Sequence, residues 1–120
     1  MRIAIHTSNL GLAHQDHAYV EYRMFSAISR FGLDHARLRI HLDEDHEAHA
    51  AAPYRCSVVL QWAPAGRIRV RASAERLYRA VDAAAERLAD GVERRLDDKD
   101  PRGGDVVSPT LARTRGMGGR

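Results

Sequence analysis

The sequence predicts an α+β fold of order β-α-β-β-β-α, a four-stranded sheet with two helices packed on one face. Three observations carry this. Four short segments alternate apolar and polar side chains, and two longer ones repeat apolar side chains at helical spacing. One stretch, RIRVRASAERLYRAVDAAAERL (67–88), passes from the first periodicity to the second within a few residues. Each helix then has one apolar face to bury, and each strand one apolar and one polar face. Setting both helices on the same side of a single sheet buries all of these faces and leaves the other side to water.

The elements follow in order. Residues 2–7 alternate with Ile3 and Ile5 inward, a first strand. Gly11 and the polar residues around His14–Asp16 connect it to a helix. There Val20, Met24, Ala27, Ile28 and Phe31 form one stripe at i, i+4, i+7, i+8 and i+11. Gly32 is a natural helix stop. Residues 36–42 alternate again, with Leu38, Ile40 and Leu42 inward and Arg37, Arg39 and His41 outward. DEDHEAHAAAP (43–53) reads as a charged, flexible hairpin connection. Residues 54–62 make a third strand with Tyr54, Cys56, Val58, Leu60 and Trp62 on one side. APAG (63–66) turns the chain into a fourth strand over 67–73. The last helix spans about 75–98, with Leu77, Val81, Ala84, Leu88 and Val92 on one stripe. Gly91 inside it costs roughly 1 kcal/mol relative to alanine, which close packing on the sheet would explain.

Composition bounds the function. A chain of 120 residues with 44% hydrophobic content buries one modest core, so one domain over 1–98 is expected. No segment approaches the roughly 18 consecutive apolar residues of a membrane helix. MRIAIHTSNLG lacks the pattern of a secretory signal, and the single cysteine, Cys56, has no internal disulfide partner. The expectation is a reduced, cytoplasmic protein. Lys and Arg total 19 against 16 Asp and Glu, a net charge of +3. That mild excess permits nucleic-acid binding without requiring it. Residues 99–120, rich in Gly and Arg, read as a tail disordered from about Pro101, either solubilising or RNA-binding.

The placement of charge says more than its total. The water-facing side of the sheet would carry Arg2 and His6, Arg37, Arg39 and His41, Arg55, and Arg67, Arg69 and Arg71. Like charges on a sheet face repel unless a counter-charge is present. RNA supplies one, since guanidinium groups bind phosphate bidentately and stack on bases. The competing reading has acids from the 43–47 loop, or solvent, satisfying these arginines.

Three stretches carry a further signal: SRFGLDHARLRIHLDED (29–45), PYRCSVVLQW (53–62) and above all ASAERLYRAVDAAAERL (72–88). In these motifs the chain resembles the ribosome hibernation-promoting factor and ribosome-associated inhibitor family, also called sigma-54 modulation proteins. The last stretch is similar to the family's Ala-Ser pair, then Leu/Met-Tyr-x-Ala-Ile/Val-Asp and a basic-Leu pair. The resemblance covers about residues 1–98 and is closest to the short form, without the extra C-terminal domain by which long members pair ribosomes. The resemblance implies binding to the small ribosomal subunit and its rRNA, in the channel used by tRNA and mRNA. It also implies silencing of idle ribosomes in non-growing or stressed cells, with no catalysis, no cofactor, no membrane and no small-molecule substrate. Arg87 matches a basic position of the family's second helix, whereas Asp90, Asp97 and Asp98 stand where relatives are usually basic. Arg76, Arg87 and Arg94 form one exposed helical stripe beside Glu75, Glu86, Asp90, Glu93 and Asp97, with Asp90–Arg94 a candidate i,i+4 pair. The expected nucleic-acid contacts are therefore Arg37, Arg39, Arg55, Arg67, Arg69 and Arg71 on the sheet and Arg76, Arg87 and Arg94 on the helix, with the sheet dominant.

Two further constellations have weaker claims. His14-x-x-His17 and His46-x-x-His49, with Asp43, Asp45 and Glu47, have metal-compatible spacing but lack the closed Cys/His set of a structural zinc site. No metal is expected. Cys56 has no evident base and reads as core, as do Trp62 and Tyr54; Tyr78 reads as packing with its hydroxyl at the surface. Two other functions stay open: an RNA- or protein-binding module of the same fold without ribosome affinity, and a small metal-dependent enzyme.

Overall fold

The computed structural model describes residues 1–45 and 51–97. The elements are β1 (Arg2–Ser8), α1 (His14–Ile28) with a 3-10 turn (Ser29–Phe31), β2 (Arg37–Glu44), β3 (Tyr54–Trp62), β4 (Gly66–Ala74) and α2 (Leu77–Asp97). One four-stranded sheet runs β1-β2-β3-β4, with β1 parallel to β2 and the remaining pairs antiparallel. The expected α+β fold and element order are both observed. His46, Glu47 and His49, and the tail from residue 98 onward, lie outside the described residues.

Three boundaries differ from the sequence reading. β2 continues through Asp43 and Glu44, which the sequence pattern assigns to the connection. Their pairing with Arg55 and Tyr54 keeps the ladder intact, and the Asp45 N–H donates to the Pro53 carbonyl at 2.7 Å. At the far end of the sheet β4 runs to Ala74, so α2 starts at Leu77 rather than near 75. Phe31 leaves the α-helical stripe for the 3-10 turn and is half-buried. Gly32 closes that turn at φ 58°, a left-handed conformation that glycine adopts without strain.

The core lies between the sheet and the helices. Val20, Met24 and Ile28 of α1 meet Leu38, Ile40 and Leu42 of β2, Cys56, Val58, Leu60 and Trp62 of β3, and Ala80, Val81, Ala84, Ala85, Leu88 and Val92 of α2. Alanines on α2 let that helix approach the sheet closely. A Cβ at Gly91 would stand 3.3 Å from Ile68 Cγ2, so its lack of a side chain serves the same approach.

The two helices are clasped on their outer side. Tyr19 and Tyr78 stack with ring centroids 4.2 Å apart and planes 1° from parallel. Each hydroxyl donates to a carboxylate of the opposite helix: Tyr19 to Asp82 at 2.5 Å and Tyr78 to Asp16 at 2.7 Å. Arg23 Nε also donates to Asp82, at 3.2 Å, and Asp16 accepts from the Ala13 N–H at the start of α1. These bonds raise both tyrosine hydroxyls above their ordinary pKa, because ionisation would set a phenolate against a carboxylate. Asp82→Ala strands both Tyr19 and Arg23. It is expected to destabilise the fold by about 1–2 kcal/mol in urea unfolding, and a cycle with Tyr19→Phe should show the two changes to be coupled.

Candidate nucleic-acid interface

Strand register turns the water-facing side of the sheet into four rows. Across β1, β2, β3 and β4 these read Arg2, Arg37, Gln61, Arg67; then Ala4, Arg39, Val59, Arg69; then His6, His41, Ser57, Arg71; then Ser8, Asp43, Arg55, Ser73. The sheet arginines singled out from sequence, Arg37, Arg39, Arg55, Arg67, Arg69 and Arg71, therefore share one face with Arg2, and all are exposed.

The β3 column explains how so much like charge is tolerated. Gln61, Val59 and Ser57 separate the β2 arginines from those of β4 by two strand spacings, about 9.6 Å. Along β4, Arg67, Arg69 and Arg71 recur about every 6.8 Å on the same side. Only Arg2 and Arg37 are direct neighbours of like charge among the arginines. Repulsion is thereby diluted while the field above the face stays positive.

Intramolecular neutralisation holds for Arg55. It pairs with Asp43 directly across the β2–β3 ladder. The Arg55 guanidinium, with a further hydrogen bond from Asn9, holds the Asp43 carboxyl below the usual carboxylate range. Stability from this tie is present above the ordinary carboxylate pKa and is lost as pH falls through the lowered one. Among the described residues, Arg2, Arg37, Arg39, Arg67, Arg69 and Arg71 form no ion pair. His41 Nε2 lies 2.9 Å from Ser8 Oγ.

The arginines expected on the last helix occupy a different surface. Arg87 and Arg94 lie on α2, whereas Arg76 falls in the bend before it rather than on the expected helical stripe; all three are exposed, and none stands on the sheet face. Arg87 donates to the Arg71 carbonyl, and Arg95, not singled out from sequence, donates to the Arg67 carbonyl at 3.1 Å. Both carbonyls belong to the outer edge of β4, so α2 satisfies an edge that would otherwise stand open. The spacing fits: eight helical residues advance about 12 Å and four strand residues about 13 Å. The expected Asp90–Arg94 ion pair does not form. Glu93 instead reaches Arg30 of the 3-10 turn at 3.7 Å, with both side chains well exposed.

No group of three or more His, Cys, Asp or Glu side chains among the described residues is arranged to hold a metal. Cys56 is fully buried, and burial pushes its thiol up to about 12, so it is a core residue and not a nucleophile. A thiol reagent is expected to label it only at the rate of unfolding, read by comparing labelling with and without denaturant. Trp62 is buried and Tyr54 half-buried on the core side. No described helix is long and apolar enough to cross a membrane.

Fold and face together define a small α+β domain, one side of its sheet covered by helices and the other open and cationic. The chain belongs to the sigma 54 modulation protein / S30EA ribosomal protein family, whose model matches residues 3–99. Among solved structures it is similar to the N-terminal domain of Thermus thermophilus Protein Y, at 24% identity and a TM-score of 0.64, over 79% of this chain and 99% of that one. It is also similar to a ribosomal subunit interface protein from Coxiella burnetii, at 12% identity and a TM-score of 0.68, over 81% and 99% of the two chains. At these identities the likeness is one of fold. No curated protein matches the chain.

Proposed function

We propose that this protein binds the small ribosomal subunit through rRNA, and by occupying it silences translation in non-growing or stressed cells. The observation that supports this best is the arginine field of the open sheet face, in a chain whose family is named for a ribosomal protein. An exposed face of this size with six arginines lacking acidic partners among the described residues suits a polyanion. A phosphate backbone presents oxygens at regular intervals that guanidinium groups bind bidentately. The role is stoichiometric occupancy, with no bond made or broken, no cofactor and no metal. It would be exercised in the cytoplasm.

Co-sedimentation with purified small subunits through a sucrose gradient tests the reading. The protein should travel with the particle at low salt and be released as salt rises, and it should lower the output of a reconstituted translation reaction. Failure to travel with any ribosomal particle at low salt would favour the same fold acting as an RNA- or protein-binding module elsewhere.

A further inference from the structure

The arginine lattice has a hole in it. In the second row, Arg39 stands between Ala4 on β1 and Val59 on β3, apolar residues on the side that faces water. Together with Arg2, Arg37 and Gln61 of the first row they line a half-open depression of about 390 Å³. That is within the roughly 300–1,000 Å³ of small-ligand sites. A smooth phosphate-binding surface needs no such feature. From this juxtaposition we propose that the depression is a subsite for one unpaired nucleotide of a bound RNA strand, a proposal that rests on the RNA-binding reading above.

The chemistry of the lining suits each part of a nucleotide. Ala4 and Val59 give an apolar floor of little height, on which a planar base loses water without losing hydrogen bonds. Phenylalanine, tyrosine and tryptophan, the usual stacking platforms of RNA-binding sheets, are missing from the four rows, and the His6 and His41 imidazoles lie in the third row, outside the lining of the depression. The Arg39 guanidinium, rooted between the two floor residues, takes their place as a plane for the base. Arg2 and Arg37, adjacent in register, offer a pair of cations to the phosphate. The Gln61 amide presents both a donor and an acceptor at the rim, enough to meet one base edge.

This lining also selects against a duplex. Paired bases are stacked inside the helix, so a duplex can offer the face its phosphates, 2′-hydroxyls and groove edges but no open base plane. Only an unpaired base can reach the floor, and only a residue as small as Ala4 leaves it room.

Fluorescence anisotropy with a labelled eight-nucleotide single-stranded RNA, and with a duplex of equal charge, tests the subsite. Ala4→Leu fills the floor without touching charge. It should weaken single-strand binding about tenfold, the scale of stacking for one base, while duplex binding changes less than twofold and the salt slope is unaltered. Arg67→Gln, outside the depression, should weaken both ligands and flatten both slopes. Gln61→Ala supplies a second test should the leucine disturb the edge strand, and it should also lower single-strand binding selectively. Wild-type single-strand affinity in folded Ala4→Leu and in Gln61→Ala would overturn the subsite, as would equal losses on both ligands. A mononucleotide that displaces the strand at comparable concentration would overturn the strand as the natural ligand. Ribosome co-sedimentation of the wild type is read separately. Its absence, with selective single-strand binding retained, would remove the ribosome and leave the subsite standing.

Discussion

Replacing Arg67, Arg69 and Arg71 together with glutamine is expected to lower affinity for the small ribosomal subunit by about a hundredfold at 0.1 M salt. The slope of log affinity against log salt should flatten by roughly 0.7 to 0.9 for each phosphate no longer neutralised. The three side chains are exposed, lie on the water face of β4 and form no ion pair among the described residues. Glutamine keeps the alternation that specifies the strand, so thermal unfolding should move by no more than a few degrees. Any such shift should be upward, because repulsion across the face is eased.

The matched comparison is Arg87→Gln with Arg94→Gln, on the helix. Arg87 is already turned to the Arg71 carbonyl, and Asp90 and Glu93 dilute the charge beside Arg94. The expected fall in affinity is only a few-fold, accompanied by a small loss of stability as the β4 edge is uncovered. A sheet variant that binds at wild-type affinity, beside a helix variant that does not, would move the interface to α2. The family assignment would be untouched, because it rests on the match over residues 3–99 and not on either face.

The strands are legible in the sequence because large apolar residues fill every second position of the dry face, Ile3 and Ile5, Leu38 to Leu42, and Cys56 to Trp62, even though Ala4 and Val59 interrupt the polar side. With the faces fixed, the arginine surface follows from parity alone. Register does not. That Arg55 stands opposite Asp43, and that a neutral column separates the β2 and β4 arginines, depends on where the β2–β3 hairpin closes, which a charged eleven-residue connection does not reveal. The depression over Ala4 depends on register in the same way. The Tyr19–Tyr78 clasp is half visible: Tyr78 sits on its stripe edge, but its partner comes from a helix far earlier in the chain. Arg87 and Arg95 carry a signal in retrospect, an i,i+8 spacing that spans four strand residues. Reading it requires knowing that α2 lies antiparallel on β4. Local periodicity thus gives the faces, while every interaction that crosses elements requires their juxtaposition.

The largest loss of stability is expected from Gly66→Ala. Gly66 is buried and pairs with Trp62 at the end of the β3–β4 ladder. The indole of Trp62 lies so close over it that an added Cβ would stand 2.0 Å from Cε2, 2.3 Å from Cδ2 and 2.4 Å from Nε1. No rotation of a methyl group relieves clashes of that kind, so either the indole leaves the core or the strand ends part. Trp62 is 6% exposed, and expelling a buried tryptophan costs about 3–5 kcal/mol. Partial relaxation should bring the measured loss to about 3 kcal/mol, a fall in Tm of roughly 12–24 °C for a domain of this size. The Trp62→Ala background isolates the cause. There the clash is gone, and the added methyl should be close to neutral, since alanine is better tolerated than glycine within a strand. A loss of equal size in both backgrounds would place the requirement in the backbone of the turn, and a loss under about 0.5 kcal/mol in the native background would show that the indole does not rest on Gly66. The outcome reaches the binding face as well. Gly66 immediately precedes Arg67, so a displaced Trp62 would shift the first row of the lattice relative to Arg2 and Arg37. Gly66→Ala should therefore weaken RNA binding even at temperatures where the protein is still folded.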